Sequence, residues 1–193
     1  MNTKAIAEKH GVSESTVNAE ARLYQDYLCG EMSSMIHRLR RISPEHFDKT
    51  FALPAPTPRQ LAVYAWSWLQ FDRAHIEEPD ATKHPRLPDP PTEPAALCDA
   101  LGVEVEKWYW LLLSLTPEQL NEGRLIMNSQ QDGEVTVRQL IVNTLRNNVR
   151  IHGEFTMLYI AWGYDKPYGN TPHTAQLPNP FYDQQFGKPK DTA

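Results

Sequence analysis

Two histidines and their polar neighbours are the residues with the clearest potential for chemistry. His152 follows Asn148 by four residues, and Tyr64, Asp72 and His75 lie on or beside one side of an earlier helical segment. Residues four apart share a helix face, so these side chains could meet where two helices pack. Imidazole nitrogens ligate metals and exchange protons. Two interpretations stay open: a rebuilt transition-metal site, or a hydrogen-bonded polar cluster in a wet cavity, which is the commoner role of a lone histidine.

Tryptophan is the second residue type that suggests binding. The pairs Trp66/Trp68 and Trp108/Trp110 each have one intervening residue. Side chains two residues apart on a helix point in different directions. One indole of each pair therefore packs inside, and the other can line a pocket for a flat apolar ligand, or a dimer face. Trp68 shares a stripe with Tyr64 and is therefore a candidate cavity residue.

Four amphipathic helices must position these side chains. Apolar residues recur at spacings of three, four or seven, which is the period of a helix with one buried face. No strand pattern stands out, so the prediction is an all-α four-helix bundle. The predicted helices cover residues 17–42, 58–78, 95–115 and 137–163.

Local signals predict where these helices begin and end. Ser13 or Ser15 is the expected N-cap of the first helix, and Pro44 is expected to end it. Thr57 followed by Pro58 predicts a cap and a first helical residue. Gly163 is expected to end the last helix.

The inner faces of the helices follow from the same period. The second helix is apolar nearly all round, and we expect its stripe to be well buried. The fourth helix is expected to bury Val149 with the other apolar residues of its stripe. The stripe of the second helix comprises Leu61, Tyr64, Trp68, Phe71 and His75.

The opening stretch resembles a helix-turn-helix, with "AIAEKHG" and "VSESTV" as its two helical parts. A net charge of −5 and acidic residues at Glu14, Glu20 and Asp26 would oppose DNA phosphates. We therefore expect a short helical extension over residues 1–12 and no nucleic-acid partner. A DNA-binding regulator that uses residues 5–22 is the alternative.

The C-terminal tail, residues 164–193, has no helical period but holds several aromatic residues, which is unusual for a solvated tail. We expect a bundle over residues 1–163 with this extended Pro-rich tail. The aromatic residues of the tail are Tyr168, Phe181, Tyr182 and Phe186.

Composition limits the location of the protein. The 193 residues contain no apolar run long enough to span a membrane, and no export signal is recognised at the N-terminus. Cys29 and Cys98 lack metal-type spacing, so we expect free thiols in a cytoplasmic protein.

The order of parts resembles the DinB-like superfamily of damage-inducible and thiol-transferase type. The resemblance covers residues 17–163 and implies a four-helix bundle. It depends on four segments: "LRRISPEHFDKTF", "TPRQLAVYAWSWLQFDR", "LLLSLTPEQLNE" and "GEVTVRQLIVNTLRNNVRIHGEFTML".

Metal-binding members of that superfamily share one histidine on the second helix and a His-x-x-x-His pair on the fourth, followed by Arg-Gly-Gln. In this chain the ligand positions fall on or near Tyr64 and on Asn147 and Ile151, while His152 takes the place of the arginine. Isoleucine cannot ligate and a neutral amide is a poor ligand for Zn or Ni. The resemblance therefore implies no metal cofactor.

Three functions remain open. The preferred one is a DinB-like bundle that binds a small apolar ligand or acts through self-association. The second is a metal-dependent thiol transferase, isomerase or hydrolase with atypical Zn or Ni ligands, and the third is the DNA-binding regulator. A homodimer is expected, with close helix approach through small or adaptable residues at Gly30, Ser33, Ser34 and Met35.

Overall fold

The computed structural model describes residues 18–50, 55–126 and 133–164 of the chain. These residues form four long helices, one short helix, two 3₁₀ turns and a two-stranded antiparallel hairpin. The helices are α1 (Ala19–Leu39), α2 (Pro44–Phe47), α3 (Pro58–Glu77), α4 (Pro94–Ser114) and α5 (Val137–Ala161). The 3₁₀ turns are Ala81–Lys83 and Gln119–Asn121, and the strands are β1 (Gly123–Ile126) and β2 (Gly133–Thr136).

The four long helices form an up-down-down-up bundle. Helices α1 and α5 run parallel, since Arg138 at the start of α5 pairs with Glu20 at the start of α1. Helices α3 and α4 are also parallel, because Arg59 at the start of α3 donates to the carbonyl of Thr92, just before α4. Residues 78–93, which we call the crossover, must therefore return along the whole length of α3. The all-α bundle predicted from the sequence is confirmed.

The core lies between the inner faces of the four long helices. The predicted inner face of α4 is confirmed, since all six of its residues are buried. Trp108 is fully buried and donates its indole N–H to the carbonyl of Leu69 at 2.9 Å, which ties α4 to α3. The six residues are Leu97, Leu101, Val105, Trp108, Leu112 and Leu115.

Two of the predicted helix ends are confirmed. Thr57 accepts from the backbone N–H of Gln60 in a capping box, and α3 begins at Pro58. Gly163 follows α5 with a φ of 78°. The N–H of Tyr164 then donates to the carbonyl of Tyr159 at 3.2 Å, as in a Schellman motif.

The first long helix ends before Pro44, as predicted, but three residues earlier than Ile42. The N-cap of α1 is Asn18, whose Oδ1 accepts from the N–H of Glu20 at 3.0 Å. Ser13 and Ser15, which the sequence suggested for this role, lie outside the described residues. The helix ends at Leu39, and Pro44 is the first residue of α2. Proline suits the first turn of a helix because that N–H has no partner there in any case.

The hairpin was not predicted from the sequence. Each strand has four residues, which is too short for an alternating pattern to stand out. Its position depends on a tertiary contact, because the buried guanidinium of Arg124 in β1 donates to the carbonyl of Ile76 at the end of α3 at 3.1 Å.

The predicted buried stripe of α3 is wrong at three of its five residues. Leu61 and His75 are buried, but Tyr64 is 40% exposed and Trp68 and Phe71 are partly exposed. Helix α3 is apolar on two sides, and its contacts with α4 and α5 bury the other side. That side comprises Ala62, Ala65, Trp66, Leu69 and Ile76.

Three further residues depart from the usual division of an amphipathic helix into a buried apolar face and an exposed polar face. Val149 of α5 is 47% exposed, whereas Gln25 and Arg38 of α1 are buried. Arg38 lies in the interface of α1 with α5, where it donates to the hydroxyl of Thr156 at 2.7 Å. A hydrogen-bonded partner on a neighbouring helix thus makes burial of a polar residue possible.

The N-terminal extension, most of the helix-turn-helix-like segment and the C-terminal tail after Tyr164 lie outside the described residues. Within the described part of the chain, no helix has an apolar stretch of the length that a membrane span requires.

Candidate functional site

An open apolar groove of about 550 Å³ lies between the outer face of α3 and the crossover. Within residues 18–50, 55–126 and 133–164, α3 contacts α4 and α5 on its inner side, and the crossover lies across its outer side. Its lining residues are Arg59, Gln60, Val63, Tyr64, Ser67, Trp68, Phe71 and Leu87.

The crossover forms one wall of the groove. Its prolines cannot donate backbone hydrogen bonds and favour extended conformations, which suits a segment that must span a 20-residue helix in few residues. His84 fixes one end by donating its Nε2–H to the carbonyl of Glu78 at 2.7 Å. Arg59 fixes the other end through Thr92. Between these points Leu87 contributes the apolar side chain that faces the groove.

A continuous row of rings runs along α3, formed by Tyr64, Trp68, Phe71 and His75, which we call the aromatic ladder. The first three rings line the groove, and the buried His75 ends the row beyond it. Successive ring centroids are 5.9, 5.6 and 4.3 Å apart. The ladder continues onto the crossover, where the ring of His84 lies 4.2 Å from that of His75. Such contacts favour edge-to-face geometry, which holds each ring in place. The groove thereby offers pre-ordered aromatic surface to a flat ligand.

His75 ends the ladder as a neutral ring. It is 3% exposed and donates its Nδ1–H to the carbonyl of Phe71 at 2.9 Å. Burial lowers the pKa of His75 below its ordinary value; the hydrogen bond to the carbonyl of Phe71 acts in the opposite direction, and the nearby His84 adds to the lowering. The position of His75 near the C-terminus of α3 therefore does not make it a cation at neutral pH.

The charged group at the mouth of the groove is already neutralised. Arg59 forms a two-pronged ion pair with Asp48, at 2.5 and 3.0 Å, and lies 5.1 Å from the ring centroid of Phe47. The hydrogen bond from Arg59 lowers the pKa of Asp48, which keeps that carboxylate ionised. At the other side Arg150 stacks over Tyr64 and pairs with Glu154. The groove therefore suits an uncharged ligand.

The sequence-predicted cluster is not assembled as a unit. Tyr64 and His75 belong to the ladder, whereas His152 lies in the interface of α1 with α5, with its Nδ1 2.7 Å from a carboxylate oxygen of Glu31. Asn148 is fully buried and donates to the carbonyl of Thr144 at 2.8 Å. Among the described residues its Oδ1 has no hydrogen-bond partner.

The three residues that the resemblance places at the superfamily's ligand positions do not fit a metal. Ile151 is fully buried in the core, Asn147 is partly exposed, and Tyr64 faces the groove. Within the described residues no group of three or more His, Cys, Asp or Glu side chains is placed to hold an ion. A tyrosine, an amide and an isoleucine do not make a transition-metal site.

The two cysteines are poorly suited to nucleophilic chemistry. Both are free and buried. Burial raises the pKa of Cys98 to about 11 and that of Cys29 further still. Each is therefore a protonated, inaccessible thiol at neutral pH.

These features define the class of the protein: it has a DinB-like four-helix-bundle fold, with an aromatic groove on one outer face. A DinB-like protein from Bacillus subtilis, YjoA, has a similar crystal structure, with a TM-score of 0.61 over 76% of this chain and 96% of that chain. The two sequences are 17% identical, so the similarity is one of fold. The sequence matches no family model and no curated protein.

Sequence reasoning named two of the eight groove residues as site candidates. Tyr64 and Trp68 were candidates, but Arg59, Val63 and Leu87 were not. Leu87 had a usable signal, because it is the single leucine in the Pro-rich loop. No sequence signal indicated the contact of Arg59 with the crossover, because that contact depends on the path that the crossover takes along α3.

Proposed function

We propose that this DinB-like bundle binds a small, flat, uncharged apolar ligand in the groove between α3 and the crossover. The observation that carries the proposal is the aromatic ladder, a row of ordered rings left open beside an apolar wall. A volume of about 550 Å³ falls in the range of known small-molecule pockets.

The energetics favour such a ligand. Burying apolar surface yields about 25 cal/mol per Å², and ring stacking adds a specific term of about 0.5–1.5 kcal/mol per pair. The rings already contact one another, so a ligand orders few side chains when it binds. A charged ligand would lose hydration without gaining a free counter-charge, since Arg59 is paired with Asp48.

The test is titration with a neutral naphthalene-type probe, followed by calorimetry and by tryptophan fluorescence. Trp68→Ala should weaken binding by about tenfold, because it removes the central ring of the ladder. Trp110→Ala is the matched control, since Trp110 is a partly exposed tryptophan on α4 outside the groove. Equal affinities of the two variants, or no binding by the wild type, would refute the proposal.

Self-association is a second candidate function, supported by an exposed apolar stripe on α5. Val142, Val149 and Met157 are 44%, 47% and 68% exposed and lie on one side of the helix. Gly153 lies between them, with no atom of the described chain within 4 Å of an added Cβ. We propose that two copies meet along this stripe. Met35, which we expected at the dimer contact, is fully buried in the core and cannot contribute.

Light scattering after size exclusion tests the dimer. Val149→Glu should give a monomer, because two charges would face each other across the axis. Val103→Glu, at an equally exposed apolar position on α4, should leave the mass unchanged. A dimer that survives Val149→Glu would refute this interface.

We further propose that the protein works in the cytoplasm, which the two free thiols support. Fractionation of the host cell with immunodetection checks the location, and recovery outside the cytoplasm would refute it.

A further inference from the structure

We propose that the ligand of the groove carries a hydroxyl or carbonyl oxygen, and that the side chain of Ser67 selects this ligand through a hydrogen bond. The ligand class is then an uncharged fused aromatic compound with one such oxygen, of which a naphthol is a simple example. The inference rests on the proposed function, because it takes the groove to be the ligand site, and it adds the residue that determines specificity.

Ser67 lies in the middle of the apolar lining of the groove. It follows Val63 by four residues and Tyr64 by three, and it precedes Phe71 by four. Positions three and four apart are neighbours on the surface of a helix, so these apolar side chains border Ser67. Ser67 is itself partly buried. A flat ligand that lies across the rings of Tyr64 and Phe71 would therefore cover the serine between them.

The hydroxyl of Ser67 has not been used by the helix. Serines in helices often donate to a carbonyl of the preceding turn, as Ser114 of α4 does to the carbonyl of Leu111 at 2.7 Å. Within the described part of the chain, Ser67 makes no such bond, and its hydroxyl bonds to no other side chain. A hydroxyl offers one proton and two lone pairs, so Ser67 can donate to a ligand oxygen or accept from a ligand hydroxyl.

Two other polar lining residues are engaged by neighbours. The guanidinium of Arg59 is paired with Asp48. The amide oxygen of Gln60 accepts from the backbone N–H of Thr57 at 2.9 Å, as part of the cap of α3. These contacts hold both side chains at the end of the groove, whereas Ser67 lies near its centre.

The cost of covering Ser67 determines which ligand binds best. A flat ligand removes the hydroxyl from water, and a ligand that presents only carbon at this point leaves the hydroxyl without a partner, which weakens binding. A ligand oxygen at the same point replaces the lost hydrogen bond. Sites that hydrogen-bond their ligand reject an analogue without the polar group far better than apolar pockets reject a slightly different shape. Ser67 thus makes an apolar groove selective for an oxygen-bearing ligand.

Calorimetric titration with a matched pair of probes tests the inference. The probes are a naphthol and the methylnaphthalene with its methyl group at the same ring position, so that a hydroxyl is compared with a methyl group of similar size. Ser67→Ala should weaken binding of the naphthol about three- to tenfold, through the loss of one hydrogen bond, and should not weaken binding of the methylnaphthalene. Alanine favours a helix, so this variant should fold, and its thermal unfolding midpoint checks that it does.

Ser114→Ala is the matched control. Ser114 lies on α4 outside the groove lining, and its hydroxyl already donates to Leu111, so this variant should bind both probes as the wild type does.

The outcomes separate this inference from the proposed function. If Ser67→Ala weakens both probes equally or neither of them, while Trp68→Ala still weakens the methylnaphthalene, the role of Ser67 is refuted and the apolar ligand site stands. If the wild type binds neither probe, both proposals are refuted.

Discussion

The buried carboxyl group of Asp72 should govern how the stability of the bundle depends on pH. Asp72 of α3 is 4% exposed, and its Oδ2 lies 2.6 Å from the hydroxyl oxygen of Thr144 on α5. That hydroxyl also lies 2.9 Å from the carbonyl of Leu140. A hydroxyl has one proton, so Thr144 donates it to Asp72 when that carboxyl is ionised, and Thr144 can donate to Leu140 when a protonated Asp72 donates to it instead.

The magnitude follows from the pKa. Burial raises the pKa of Asp72 from its ordinary 3.8 to about 7, although the hydrogen bond with Thr144 acts in the opposite direction. One pKa unit corresponds to about 1.4 kcal/mol, so ionisation of Asp72 costs the folded state about 4 kcal/mol.

The sign is opposite to that of a salt-bridged carboxylate. Below about pH 4 the group is protonated in both the folded and the unfolded chain, and it has no effect. As the pH rises from there to about 7, the unfolded chain loses the proton first, so the free energy of unfolding falls. Above pH 7 both states are ionised and the loss levels off.

Urea denaturation of the wild type and of Asp72→Asn, at intervals from pH 4 to pH 8.5, measures this effect. Asp72→Asn keeps the shape of the side chain and can donate an amide N–H to Thr144. Its free energy of unfolding should therefore match that of the wild type at pH 4 and exceed it by about 4 kcal/mol at pH 8. Asp89→Asn changes the net charge equally at an exposed site and should follow the wild type. Parallel curves for the wild type and Asp72→Asn, or a less stable variant at pH 8, would refute the reasoning.

Three further changes test individual parts of the fold by the same denaturation assay. Arg73→Ala should lower the free energy of unfolding by about 3–5 kcal/mol, because it leaves the buried carboxylate of Glu104 without its main partner. The ammonium of Lys107 is half exposed at the same carboxylate, so Lys107→Ala should lower it by less than about 1 kcal/mol. Similar losses in the two variants would contradict the assignment. Thr57→Ala should cost about 1 kcal/mol through loss of the α3 cap, and Thr57→Ser should restore it. Gly163→Ala should cost about 1 kcal/mol because its φ of 78° strains a residue with a Cβ; an unchanged midpoint would show that the end of α5 relaxes.

The sequence by itself determined the helices and several of their ends. Thr57 with Pro58 and Gly163 act within one turn of chain, so their effects need no tertiary context. The inner face of α4 was predictable for a related reason: a single apolar stripe has one way to be buried. The resemblance to DinB-like bundles rested on the order of such elements, and the fold confirms it.

Only the tertiary structure decided which face of α3 is buried. Both Trp66 and Trp68 are apolar enough for a core, and the choice between them depends on where α4 and α5 pack. That choice leaves Trp68 in the open groove and places the wall with Leu87 opposite it. When a helix is apolar on two sides, its own sequence does not determine which side is buried, because burial depends on the elements that pack against it.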